Sequence, residues 1–160
     1  MTARTWIREH LLTAEAIYGL ILYSALIAGV SHDDSNAVEV LLISVASLLI
    51  FWGAHIFAQT LAAHGAEKKL SVAIGHALAD SSGMLYASLL PSVPLILGAF
   101  SLMRTDDAVT LSLLIAMLVL GALGYNALGE RGKHPVLRVL GAIGTAFFGF
   151  LVIVLNTAVH

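Results

Sequence analysis

The chain has 160 residues, 59% of them hydrophobic and 11% charged, with a formal charge of −2. A soluble domain carries roughly 25% charged residues, so there is too little polar surface for a water-facing exterior, and much of the outside is expected to face lipid. The slight negative charge gives no reason to expect nucleic-acid binding. With no cysteine, disulfides, iron–sulfur ligation and thiol catalysis are excluded.

A membrane-spanning helix takes about 20 mostly apolar residues. Five stretches qualify, at about 11–30, 37–61, 83–103, 107–127 and 136–158. The expected fold is all-α: one membrane domain over 1–160, an integral membrane bundle of five transmembrane helices.

In chain order, 2–12 reads as an interfacial segment, with Trp6, Ile7 and Leu11 set against Arg4, Arg8 and Glu9. The apolar run behind it resembles a signal peptide, but no small-x-small cleavage site follows Ala28, Gly29 and Val30, so it reads as a retained helix. The polar break from Ser31 to Asn36 ends it. Asn36 is placed to cap the second helix, with Glu39 three residues on.

Segment 67–82 reads as a second interfacial helix, with Leu70, Val72, Ala73 and Ile74 apolar and Lys68, Lys69, His76 and Asp80 wet. An ordinary connecting loop is the other reading of this stretch. Thr105, Asp106 and Asp107 suit the start of the fourth helix. Gly129 and Gly132 end it, and Pro135 opens the fifth.

Orientation follows from Lys and Arg. With the N-terminus in the cytoplasm, the inner segments hold Arg4, Arg8, Lys68, Lys69, Arg131, Lys133 and Arg138, and the outer loops hold only Arg104. The C-terminus is then outside, and the protein sits multi-pass in the cell membrane, inner or plasma.

Helices associate in lipid through small residues. Gly141, Thr145 and Gly149 form such a stripe on the fifth helix, Ala25 and Gly29 on the first, and Gly121 and Gly124 on the fourth. Each is a candidate contact within one subunit or between two, and a homodimer through the fifth-helix stripe is one reading. Pro91 and Pro94 inside the third helix remove two backbone donors, which points either to a cavity or moving part or to a static kink.

Ionisable groups inside a span are costly and suggest function. Glu15, Tyr18, His55, Gln59 and Asn126 all fall in the cytoplasmic half, so a cavity lined by them is one reading. A carboxylate with an imidazole, Glu15 with His55, suits a divalent cation or a proton relay. Equally, Glu15 can snorkel to headgroups and His55 can bond a neighbouring helix. His64 with Glu67, and His76 with Asp80, have the spacing of a shared helix face and suggest a cytoplasmic vestibule for metal, or simply a solvated surface. There is no zinc-protease, phosphate-loop or nucleophile-elbow motif, so the chain reads as no enzyme and calls for no cofactor.

Five spans with a cytoplasmic insert between the second and third resemble the vacuolar iron transporter family. The stretch Leu89, Leu90, Pro91, Ser92, Val93, Pro94 to Gly98 is similar to that family's third helix, and Tyr18-Gly19 followed by Ala28, Gly29 and Val30 is similar to its first. Where the family carries an Asp before the first-helix glycine, this chain has Tyr18. Where the family carries Met and Glu in the second helix, it reads Trp52 to Gln59. The resemblance implies proton-coupled export of divalent iron or manganese by a dimer, with Glu15 and His55 as substitute ligands. Two readings stand beside a cation transporter or channel: a non-transporting scaffold, assembly factor or partner subunit, and a membrane enzyme acting on lipid.

Overall fold

The computed structural model describes residues 13–32, 35–64, 70–129 and 135–159, the side chains of His64 and Val159 excepted. It is all-helical: α1 (Ala14–Val30), α2 (Ala37–His64), α3 (Leu70–Ala99), α4 (Thr105–Gly129) and α5 (Pro135–Val159). The last four are long and apolar enough to cross a membrane; α1 is shorter, at 17 residues, or about 25 Å.

Local chemistry sets the ends. Thr13 caps α1, its Oγ1 accepting from the Ala16 amide at 3.1 Å. Asn36 caps α2, its Oδ1 accepting from the Glu39 amide at 2.9 Å. At the end of α3 the Leu102 amide donates to the Leu97 carbonyl (3.0 Å) and the Ser101 amide to the Gly98 carbonyl (2.9 Å). This is the Schellman pattern, which wants a left-handed residue after the helix. Ser101 fills that place with φ 60°.

The third helix differs from the sequence expectation. Segment 67–82 is, from Leu70 onward, the first half of α3, which runs unbroken for 30 residues, about 45 Å. No proline separates Leu70 from Gly83, and Ala73, Ala77 and Ser81 carry the buried face straight into Met84 and Ala87. Residues 2–12 and 67–69 lie outside the described residues.

Short α1 is the centre. It packs against all four other helices, and α2, α3, α4 and α5 pack successively around it as a horseshoe. The open side of the horseshoe falls between α2 and α5, which form no packing interface with each other among the described residues. One apolar core joins Tyr23 and Ile27 to Val40, Leu48, Leu95, Leu113 and Val152; a second joins Ala16 and Leu20 to Ala116, Leu120 and Leu123. Outside, large apolar side chains face outward, such as Ile50 (72% exposed) and Phe57 (69%) on α2. With four such helices, this exterior is a lipid-contacting surface.

The closest helix approaches run over glycine. A Cβ on Gly19 would lie 2.7 Å from Met84 Cα on α3, and one on Gly149 would lie 2.9 Å from Met117 Cα on α4. On Gly141 it would meet the Gly124 carbonyl oxygen at 2.7 Å. Thr145 Oγ1 lies 2.7 Å from the Leu120 carbonyl of α4 and 2.9 Å from the Gly141 carbonyl of its own helix, sharing one proton. The stripe Gly141, Thr145 and Gly149 therefore packs against α4 within the chain, the within-subunit use that the sequence offers beside a homodimer.

Two outcomes follow for stability, each read by thermal unfolding in detergent. Gly149→Leu is expected to cost about 1–3 kcal/mol through overpacking, whereas Gly144→Ala, where a Cβ meets nothing within 4 Å, leaves stability unchanged or raises it. Ser101→Gly is expected to raise stability by about 1 kcal/mol, since glycine adopts the left-handed conformation without steric cost.

Candidate functional site

Helices α1 and α2 run antiparallel across the short loop 31–36. This pairing brings Tyr18 against His55: the ring centroids are 6.5 Å apart and the planes 28° from parallel. One turn further along α2, Gln59 Nε2 donates to His55 Nε2 at 2.9 Å. His55 Nε2 is thus an acceptor, and the ring proton sits on Nδ1. Glu15, half-buried, lies one turn before Tyr18. In an antiparallel pair that step runs toward the C-terminal end of α2, so Glu15 is level with Gln59. Tyr18 is 52% exposed, and Glu15, His55 and Gln59 are half-buried.

The other residues singled out in the sequence go elsewhere. Pro91 and Pro94 are fully buried in the core, and α3 continues as a helix through both. Asn126 is exposed on α4, its Nδ2 donating to the Ala122 carbonyl of its own helix at 2.7 Å. His76 and Asp80 are exposed one turn apart on α3, while the His64 side chain and Glu67 lie outside the described residues. Among the described residues, no group of three or more His, Asp or Glu is placed to hold a metal ion.

Sequence reasoning missed a buried pair beside the prolines. Ser92 Oγ donates to the Ser88 carbonyl at 2.8 Å. Its proton is thereby committed, so the Tyr23 hydroxyl donates to Ser92 Oγ, at 2.7 Å. The bond ties α1 to α3 at the level where Pro91 and Pro94 leave the Ala87 and Leu90 carbonyls without their helical donors. Tyr23 read simply as an aromatic in an apolar run, and no spacing rule links it to a serine 69 residues away.

A second feature missed is a polar cavity of about 240 Å³ at the opposite end of the bundle, lined by Ser31, His32, Thr105, Asp106, Thr110 and Asn156 among others. Asn156 Nδ2 donates to Ser31 Oγ (2.9 Å) and lies 3.3 Å from the Ala28 carbonyl, joining α5 to the end of α1. Of these, Ser31 and His32 stood in the sequence only as a helix-breaking loop.

In lipid the Tyr23–Ser92 bond has no water to replace it. A double-mutant cycle of Tyr23→Phe and Ser92→Ala is expected to show a coupling of about 1 kcal/mol in detergent unfolding; additive effects would remove the bond from the energetics. No family model, no curated protein and no solved structure matches the chain.

Proposed function

We propose that the protein is a non-transporting membrane scaffold, assembly factor or partner subunit that works through the outward-facing cluster Glu15, Tyr18, His55 and Gln59. In this reading α1 is a fifth span, the N-terminus is cytoplasmic and the C-terminus outside, in an inner or plasma membrane. The lysine and arginine asymmetry of the loops supports that orientation. The observation that carries the reading is the division of the bundle. Two apolar cores pack between the helices, while Tyr18, stacked on His55, stands exposed on the outer surface. A group that faces outward is placed to meet another molecule.

A second reading is a transporter or channel for a divalent cation such as iron or manganese, or for protons. The level that Glu15 shares with the His55–Gln59 pair favours it, because a carboxylate and an imidazole suit both cargoes. The resemblance to vacuolar iron transporters points the same way.

Reconstitution separates the two. Wild-type proteoliposomes are expected to move Fe²⁺, Mn²⁺ and protons no faster than empty vesicles. Flux above that background, lost in His55→Ala or Glu15→Gln, would assign the protein to the transport class.

A further inference from the structure

In the polar cavity between the end of α1, the start of α4 and the end of α5, the side-chain donors of the loop and of α5 already have partners. The Ser31 hydroxyl donates to the Ala28 carbonyl (3.2 Å) and the Ser35 hydroxyl to the His32 carbonyl (2.7 Å). His32 Nδ1 lies 2.8 Å from the Val30 carbonyl. A carbonyl only accepts, so Nδ1 carries the proton and donates it there. Asn156 commits Nδ2 to Ser31 Oγ and the Ala28 carbonyl.

What remains is acceptors. Asn156 keeps Oδ1, which has no hydrogen-bond partner among the described residues. Asp106 gives one carboxylate oxygen to Arg104 at 3.3 Å, in an exposed pair, and keeps the other. Thr105 and Thr110 add hydroxyls with no hydrogen-bond partner among the described residues, and a hydroxyl accepts as well as donates. Thr105, Asp106, Val109 and Thr110 share one side of the first turns of α4. The cavity therefore lies beside that helix, and the free amides of its N-terminus, which point along the axis, are aimed past it.

Charge and size choose the ligand. The Asp106 carboxylate repels an anion. Among the described residues no group of three or more His, Asp or Glu is placed to hold a metal ion. The volume of about 240 Å³ is also the room of about eight waters at about 30 Å³ each, far more than a bare ion fills. An ammonium group brings three donors and one positive charge, and a short carbon chain behind it fits against Val109, which belongs to the apolar core.

We infer that this cavity binds a small primary amine as its ammonium, held by the Asp106 carboxylate, the Asn156 amide oxygen and the hydroxyls of Thr105 and Thr110. A free amine and the ethanolamine head of a lipid share that chemistry. The site lies at the end of the bundle opposite Tyr18 and His55, and it stands or falls independently of the function proposed above.

The test titrates the full-length protein in detergent with ethanolamine and, separately, with choline, and reads binding by calorimetry. The two carry the same charge, but choline has no N–H to donate. Ethanolamine is expected to bind more tightly than choline by about tenfold. Asp106→Asn lowers ethanolamine affinity by about tenfold, and Thr110→Val by about threefold. Arg104→Gln raises it, because the cation competing for Asp106 is gone, an outcome that damage to the fold would not give. Asp80→Asn, an exposed carboxylate on α3, changes nothing, and circular dichroism checks that each variant stays helical. Displacement of ethanolamine by phosphatidylethanolamine but not by phosphatidylcholine supports the site with a lipid head as its source; ethanolamine that neither lipid displaces supports it with a free amine. Choline bound as tightly as ethanolamine, no binding of either, or ethanolamine affinity indifferent to Asp106→Asn and Thr110→Val overturns the inference.

Discussion

Everything in this bundle depends on how closely one short helix can be approached from four directions. Lipid supplies no hydrophobic drive between helices, so cohesion comes from close packing and a few hydrogen bonds. Helix α1 meets that demand with small residues on most of its circumference: Ala16, Gly19, Ser24 and Ala28 are all buried. Gly19 admits α3 until its backbone touches Met84. The buried serines Ser44, Ser81 and Ser112, whose hydroxyls have no hydrogen-bond partner among the described residues, act on the neighbouring helices as small side chains of the same kind.

Hydropathy alone made the helices legible, because runs such as Ala37–Leu61 leave a chain in lipid no other way to satisfy its backbone. It misjudged α3 for a physical reason. His76 and Asp80 dilute the apolar signal of its first half, yet dilution does not break a helix, and only Gly75 interrupts the side chains between Leu70 and Gly83. That Glu15, Tyr18, His55 and Gln59 share one end of the molecule was also legible from position along each helix. That Tyr18 is exposed and stacks on His55 was not. It depends on which side of α1 stays uncovered, and helix order around a centre leaves no mark in a single sequence.

The polar chemistry is divided between two addresses. Inside, Tyr23 and Ser92 close on each other and leave the proline-interrupted turns of α3 wrapped in core. Outside, His55 spends one ring nitrogen on Gln59 and keeps the other as a donor. The inner pair has spent its capacity on cohesion, and the outer one retains capacity for something beyond the chain. Such a division is what a bundle needs to remain intact while it engages its surroundings.

Asn156 fastens α5 to the end of α1 across 128 residues of chain. During synthesis α1 is made before α5, so the central helix waits with this clasp unmade until α5 has followed it into the bilayer. The order of assembly is thereby written into the molecule: of the described helices the innermost is made before the four that enclose it.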